Sequence, residues 1–173
     1  MSLPRPTKLK KSIDIEWYLS YSTAMIISTK CRYALRAVYE IARSNQGGVM
    51  TIGDIAKAQR VPQRYLEGIL NQLRKGGLLE AQRGRSGGYR LAKDAGEITV
   101  GEVVRLIDGP IRAVGCVEEG KTTDCPMREN CVFLPTWQKV QQAIDRALDS
   151  TDFNHLVKLA SEIRPEGCSN YTI

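Results

Sequence analysis

Histidine and long apolar segments are nearly absent from this chain, and each shortage argues against a class of protein. One of the 173 residues is a histidine, His155, and no nucleophile with a matching base stands out, so an enzyme is the least expected class. No apolar run approaches the roughly 18 residues that a membrane-spanning helix requires. No charged start leads into an apolar stretch with a small-residue cleavage site, as a secretory signal would. We therefore expect a cytoplasmic protein with no membrane partner.

Cysteines that would form a disulfide framework are also lacking. The five cysteines are an odd number, which is not the pattern of a disulfide-stapled domain, and in the cytoplasm they are expected to be reduced thiols. Three of them, Cys116, Cys125 and Cys131, lie within 16 residues, with eight and five residues between them. Clustered thiols in a reducing compartment indicate a metal site or redox chemistry.

Charge is abundant but unevenly distributed. The net charge is +6, yet residues 25–95 carry 13 Lys and Arg against 5 Asp and Glu, whereas residues 96–173 carry 8 against 12. A basic block followed by an acidic one indicates that the first half binds a polyanion such as nucleic acid. An excess of this size also occurs on ordinary soluble surfaces, so charge alone favours nucleic acid only weakly.

The apolar spacing predicts several helices in the first half of the chain. Residues 1–24 show no clear period and are interpreted as a flexible N-terminal extension. After Ser28, helical spacing predicts an amphipathic helix, and a short helix follows the cap residue Thr51. A longer helix is expected from Pro62 to about Lys75. The inward-facing stripe of this longer helix is expected to comprise Tyr65, Leu66, Ile69, Leu70 and Leu73.

A β-hairpin and further helices are expected in the rest of the chain. Two strand-like runs, 78–82 and 89–91, flank a glycine-rich turn. A helix capped by Thr99 ends near Gly109, and another helix begins at Thr136. A last short helix covers about residues 153–163, and the stretch 111–135 is expected to lack secondary structure. The chain is accordingly divided into a winged-helix region, a linking helix, a cysteine loop and a C-terminal helical part, at residues 25–95, 96–110, 111–135 and 136–173.

A short helix, a tight turn, a longer helix and a basic hairpin together predict a mostly α-helical, winged helix-turn-helix protein. In this fold the second helix lies in the major groove, and the wing reaches the backbone or the minor groove. Arg64 and Asn71 can donate hydrogen bonds to bases or phosphates, and Glu67 can accept one from a cytosine amino group. The residues predicted to contact DNA are Arg64, Tyr65, Glu67, Gly68, Asn71, Arg74, Arg83, Arg85 and Arg90.

The three clustered cysteines have spacings that are too open for a zinc knuckle, whose cysteines come in closely spaced pairs. Thiolates suit both zinc and iron–sulfur clusters, and a flexible loop can wrap around a cluster. The spacing does not choose between zinc, a cluster and thiol redox chemistry. An alternative from another class is a zinc- or cluster-binding module whose basic face binds an acidic protein. Cys31 lies on an apolar stripe, where a buried small side chain is expected.

Three segments resemble the Rrf2 family of bacterial transcriptional regulators: "MIISTKCRYALRAVYEIA", "YLEGILNQLRKGGLLEAQRGRSGGYRLAK" and "ITVGEVVRLIDGPI". With the cysteine loop, the resemblance covers about residues 25–160. It implies a homodimer that pairs through the long helix after the loop and binds a double-stranded DNA operator. It also implies an iron–sulfur cluster on Cys116, Cys125 and Cys131, with 2Fe–2S favoured over 4Fe–4S. Glu67 matches a residue that tunes sequence choice, and Arg83 matches the wing arginine.

At two ligand positions, the chain departs from the cluster-binding members that it resembles. Leu134 stands where one branch has histidine, and Arg32 stands where the nitric-oxide-sensing branch has aspartate. The fourth cluster ligand is therefore unassigned. The options are solvent, Cys31 of the partner subunit, or a carboxylate among Glu118, Glu119, Asp124 and Glu129. The alternative within the same fold is a repressor that responds to cysteine metabolism, nitric oxide or thiol redox state.

Overall fold

A computed structural model of the protein describes residues 27–44, 48–84, 87–117, 125 and 128–163. The expected extension at residues 1–24 lies outside this part of the chain. The α-helices are α1 (Thr29–Arg43), α2 (Ile52–Gln59), α3 (Gln63–Lys75), α4 (Val100–Asp108), α5 (Leu134–Asp149) and α6 (Phe153–Ile163). Strands β1 (Leu79–Gln82) and β2 (Gly88–Leu91) form an antiparallel hairpin between α3 and α4. None of the helices in these ranges is long and apolar enough to cross a membrane.

Side-chain caps explain where three of the helices begin. The Ser28 hydroxyl accepts a hydrogen bond from the N–H of Cys31 at 3.0 Å, and the Thr51 hydroxyl accepts one from the N–H of Asp54 at 3.2 Å. At the start of α4, Thr99 and Glu102 form a reciprocal capping box, with bonds of 3.0 and 3.1 Å. Each cap satisfies N–H groups that have no partner within the helix. The predicted caps at Thr51 and Thr99 are confirmed.

Helices α1, α3 and α4 pack around one apolar core, and α6 packs against α1. Burying a large side chain such as Leu66 or Phe153 stabilises the fold by about 1.5–3 kcal/mol. The buried apolar residues are Cys31, Ala34, Ala37, Val38, Ile41, Ile55, Val61, Leu66, Ile69, Leu70, Leu73, Leu78, Leu79, Ile98, Val103, Val104, Ile107 and Phe153.

Tyr65 was expected in the buried stripe of α3, but 57% of its surface is exposed. At 3.6 residues per turn, Tyr65 lies about a quarter turn from the centre of the stripe that Leu66, Ile69 and Leu73 form. Its ring instead packs edge-on against Tyr33, with 6.0 Å between the ring centroids. The prediction of an inward Tyr65 was therefore wrong, and its side chain lies on the surface at the start of α3.

The hairpin is attached to the body through Met50. The backbones of Met50 and Tyr89 exchange two hydrogen bonds of 2.8 and 2.9 Å, which adds an isolated bridge beside β2. The neighbouring Gly88 lies so close to the Met50 carbonyl group that a Cβ at position 88 would collide with backbone atoms. A glycine is required there, because backbone cannot move aside as the end of a side chain can.

The stretch 111–135 contains more regular structure than expected. Two short 3₁₀ turns occur at Gly115–Val117 and Arg128–Asn130, and α5 begins at Leu134 rather than at Thr136. Pro135 lies in the first turn of α5, where its missing N–H costs nothing and its fixed φ suits the helix. The prediction of an unstructured stretch up to residue 135 was therefore wrong in part. The last helix, predicted over about residues 153–163, is confirmed.

Candidate DNA-binding surface and cysteine segment

The connection between α2 and α3 has the geometry of a helix-turn-helix. Three residues separate Gln59, the last residue of α2, from Gln63, the first of α3. Arg60 has a left-handed conformation (φ of 51°), and the N–H of the buried Val61 donates to the Ala56 carbonyl at 3.0 Å. A single left-handed residue after a helix redirects the chain at once. The second helix therefore leaves the turn with one face on the core and the other outward.

A buried polar network fixes the end of α2 on α1. Glu40 is 3% exposed and accepts hydrogen bonds from the side chains of Gln59 and Arg43, each at 2.5 Å. Arg36 donates to the Gln59 side chain at 2.9 Å and also to its backbone carbonyl. That carbonyl belongs to the last residue of α2, which has no partner in its own helix. Sequence reasoning missed this network; an acidic residue in register with the buried Ala37 was the available signal.

The exposed face of α3 carries the residues predicted to contact bases. This face comprises Arg64, Tyr65, Glu67, Gly68, Asn71, Arg74 and Lys75, all of which are exposed. Arg74 donates to the Asn71 side-chain oxygen at 3.0 Å, so this bond engages the acceptor of the Asn71 amide and not its donors. Apart from the neighbouring residues and backbone of α3 itself, no atom lies within 4 Å of the point where a Cβ of Gly68 would be. The backbone of α3 is therefore open to close approach at that point.

The wing arginines differ in their surroundings. Arg83 is exposed just after β1, and Arg85 lies outside the described residues. Arg90 faces Glu80 across the hairpin and donates to its carboxylate at 2.7 and 3.0 Å. Both side chains of this pair are half exposed, and pairs of this kind contribute at most about 1 kcal/mol. Glu80 therefore holds the Arg90 side chain only weakly.

The three cysteines of the predicted cluster site lie in the segment between α4 and α5. Cys116 and Cys131 are half-buried in the two 3₁₀-turn regions, and Cys125 is exposed. Within the described ranges, no three His, Cys, Asp or Glu side chains lie close enough together to hold a metal ion. Residues 118–124, 126 and 127, which include three of the carboxylates considered as ligands, lie outside those ranges. The donor chemistry fits a cluster, since thiolates are the usual ligands of iron–sulfur centres.

Cys31 is a structural residue, as expected from the apolar stripe of α1. Its side chain is fully buried, and burial raises the pKa of the Cys31 thiol to about 12, with a further contribution from the Asp108 carboxylate. Asp108 also accepts hydrogen bonds from the Ser28 N–H at 2.9 Å and the Ser28 hydroxyl at 2.6 Å. A buried, protonated thiol offers no surface to another chain, which argues against Cys31 of the partner subunit as the fourth ligand.

The mostly helical fold, the turn after α2, the exposed polar face of α3 and the hairpin wing define a winged helix-turn-helix transcriptional regulator. A family model described as an iron-dependent transcriptional regulator matches residues 27–159, and the chain belongs to this family, Rrf2. The predicted fold class and family are therefore confirmed.

Relatives and solved structures agree with this assignment. The chain is 33% identical over 133 residues to the HTH-type transcriptional regulators IscR of Cronobacter sakazakii and of Klebsiella pneumoniae, which covers 77% of this chain and 80% of each relative. Similar solved structures include the IscR of T. potens (TM-score 0.63, 29% identity, 83% of this chain and 93% of that chain). They also include CymR, the global cysteine regulator of B. subtilis (TM-score 0.63, 30% identity, 78% and 97%).

Proposed function

We propose that this protein is a cytoplasmic, homodimeric regulator that binds a double-stranded DNA operator through α3 and the wing. In this proposal it senses an iron–sulfur cluster, preferably 2Fe–2S, held by Cys116, Cys125 and Cys131. Membership of a family described as iron-dependent regulators supports the class, and the three thiols support the cofactor. One observation supports the proposal most directly. Helix α4 connects the exposed, polar recognition face of α3 to the thiol-rich segment.

The DNA-binding part of the proposal rests on the chemistry of the exposed face of α3. Arg64 and Arg74 bring positive charge, Asn71 brings amide donors, and Glu67 brings an acceptor, so this face can bind both phosphates and base edges. Gly68 leaves the helix backbone open at the same face. Arg83 and Arg90 extend the positive charge onto the wing, where phosphate contacts are expected.

Selection of a binding site from random DNA, followed by footprinting at several salt concentrations, tests this part. We expect a protected, sequence-specific site with affinity that falls steeply as salt rises, because each neutralised phosphate contributes about 0.9 to the logarithmic slope. Replacing Glu67 with Ala should change base preference more than overall affinity. The Arg64→Ala variant is the comparison, and it should lower the affinity for all DNA sequences by a similar factor. If no salt-dependent footprint is found, the DNA-binding proposal is wrong, and the alternative class, a protein-interaction module, is favoured.

The homodimer part of the proposal rests on α5. Trp137, Val140, Ile144 and Leu148 follow one another along one side of this helix, yet none of the residues of α5 is buried in the single chain. The Val140 residue exposes 39% of its surface to solvent. An amphipathic helix whose apolar side is only partly covered within its own chain favours another surface that covers the rest. The long, symmetric helix pairing that the family resemblance implies supplies that surface.

The cofactor part of the proposal rests on the position of the cysteines relative to α4 and α5. A bound cluster would be a labile iron–sulfur group that iron limitation, oxidants or nitric oxide can remove. Cys116 lies in a 3₁₀ turn that packs against α5, and Cys131 lies three residues before α5 begins, so two of the thiols are near α5. If both side chains bind one centre, the segment between α4 and α5 becomes fixed against them.

Iron and acid-labile sulfide analysis after anaerobic reconstitution tests the cofactor. We expect iron and sulfide in the wild-type protein, with a visible absorption band, and strong losses of all three in the Cys125→Ser variant. A colourless, iron-free wild-type protein contradicts the cofactor and leaves the DNA-binding proposal intact. It favours the second candidate, a thiol-responsive repressor, which the similarity to the global cysteine regulator CymR and the exposed Cys125 support.

A further inference from the structure

The recognition helix α3 is joined to the C-terminal end of α4 by one hydrogen bond and one close contact. The Gln72 side-chain amide donates to the Leu106 carbonyl oxygen at 2.8 Å. This carbonyl lies in the last turn of α4, where backbone acceptors have no helical partner. The Leu106 side chain also lies against Gly76, directly after α3, where an added Cβ would collide with it. A displacement of the end of α4 would therefore also displace the end of α3.

A stripe of polar side chains on α5 holds α4 and the chain that follows α4. Gln141, Asp145 and Asp149 are four residues apart, so they lie on one face of α5. Arg105 of α4 forms an ion pair with Asp149 and lies 3.9 Å from the Asp145 carboxylate. Gly101 of α4 lies next to this ion pair, and a Cβ at that position would collide with the Asp149 carboxylate of α5. The two helices therefore approach closely at this point.

Gln141 holds the chain that leads from α4 towards Cys116. Its amide nitrogen donates to the Ile111 carbonyl at 2.9 Å and to the Asp145 carboxylate at 3.1 Å. Its amide oxygen accepts from the N–H of Ala113, also at 2.9 Å. A primary amide is the side chain that can serve a backbone donor and a backbone acceptor at once. The beginning of the cysteine segment is thus attached to α5 by one residue.

We propose that Gln141, Asp145 and Asp149 form a clamp on α4 that sets the spacing between the two recognition helices of the dimer. The inference rests on the proposed function, since it requires a dimer paired through α5 and an operator with two half-sites. Gln141 is a positioning residue that acts on α3 through α4 and does not contact DNA. Because Gln141 also holds Ile111 and Ala113, the clamp is the connection by which the state of the cysteine segment reaches α3.

Operator spacing distinguishes a positioning role from a general loss of stability. The protein is stripped of iron, and its affinity is measured for a selected operator, for versions one base pair longer or shorter between half-sites, and for a single half-site. In the Gln141→Ala variant we expect affinity for the full operator to fall about 3- to 30-fold. Preference among the spacings should flatten, and half-site affinity should stay at the wild-type value. The matched control, Gln142→Ala, changes an exposed amide one residue away and should behave as wild type.

Two further variants keep the test decisive if Gln141→Ala folds poorly. Gln141→Glu retains the acceptor for the Ala113 N–H but lacks the donor for the Ile111 carbonyl, so we expect the same flattened preference. Gln72→Ala removes the hydrogen bond between α3 and the C-terminal end of α4, and it should flatten the spacing preference likewise. Combining Gln72→Ala with Gln141→Ala should cost less than the product of the separate effects, because both act on one connection.

Restoring the cofactor adds a second readout. In the wild-type protein, operator affinity should differ between the cluster-loaded and stripped forms, and Gln141→Ala should reduce this difference. An unchanged spacing preference in both Gln141 variants overturns the clamp, as does an equal loss on half-site and full operator. If wild-type protein binds no specific operator, or binds it as a monomer, the proposed function itself fails and the clamp falls with it.

Discussion

Gly68 is a residue at which fold stability and DNA binding are expected to respond in opposite directions. It lies within α3, and no atom is near enough to hinder an added methyl group. Glycine within a helix is less favourable than alanine by roughly 0.5–1 kcal/mol. Gly68 therefore lowers the stability of α3, and no close packing inside the protein explains why a glycine is present. A ligand that must come close to the helix backbone at this residue would explain it.

The Gly68→Ala variant tests this. We expect the free energy of unfolding to rise by about 0.5–1 kcal/mol, measured by urea denaturation. We expect operator affinity to fall in the same protein, because the methyl group lies on the face that is proposed to approach the bases. A variant that is stabilised and binds DNA with unchanged affinity would show that α3 does not approach DNA at this residue.

Cys31 and Cys125 should differ widely in reactivity. Burial raises the pKa of the Cys31 thiol from 9.0 to about 12, so it stays protonated as the pH rises from 7 to 9, whereas Cys125 is exposed. The thiolate is the reactive form, and at pH 8 a thiol with such a pKa is ionised in roughly one molecule in ten thousand. We expect iodoacetamide to modify Cys125 in the native protein and Cys31 only after denaturation, as followed by peptide mass spectrometry. Equal rates in the native protein would contradict the burial of Cys31.

At the level of single elements, the helix starts were predictable where a local pattern determines them. Thr51 and Thr99 were found from sequence because a cap and its acceptor partner lie three residues apart. The start of α5 was misplaced because it depends on Pro135 and on 3₁₀ turns, which have no apolar period. Tyr65 was misplaced because helical spacing also allows a buried stripe on α3 that is one residue wider than the real one.

The contacts that organise the candidate site were not predictable from sequence. Gln72 binds the carbonyl of a residue 34 positions away, and Gln141 binds backbone groups 28 and 30 positions away. Nothing in the spacing of polar residues marks a glutamine whose partner is a backbone group of another element. The same holds for Glu40, whose partner Gln59 is 19 residues away and on another helix.

The capping box of α4 should contribute measurably to stability, since α4 connects α3 to α5. Thr99→Ala removes the side-chain acceptor of the Glu102 N–H and should lower the free energy of unfolding by about 1 kcal/mol. Thr136→Ala is the matched control, because Thr136 is exposed in the first turn of α5. Its effect should stay within about 0.5 kcal/mol in the same thermal or urea unfolding experiment. Equal effects of the two substitutions would show that the Thr99 box does not stabilise α4.

For the whole molecule, the apolar side of α5, which is only partly covered within the chain, predicts a dimer. Sedimentation equilibrium should give about twice the chain mass of 19.3 kDa for the wild-type protein. Val140→Glu places a charge on the apolar side and should yield monomers, because a buried unpaired charge is costly. Lys139→Glu changes an exposed neighbour and should leave the dimer intact. A dimeric Val140→Glu protein would place the subunit contact elsewhere.

The proposed function requires that the state of the cysteine segment changes DNA binding. The most direct measurement is the operator affinity of one protein preparation before and after its iron is removed, at a single salt concentration. We predict that the two affinities differ by a factor of about 5 to 150, the usual range for coupled sites. The Cys116→Ser, Cys125→Ser and Cys131→Ser variants should show no difference between the two treatments. Equal affinities of the wild-type protein before and after iron removal would show that the cysteine segment does not control DNA binding.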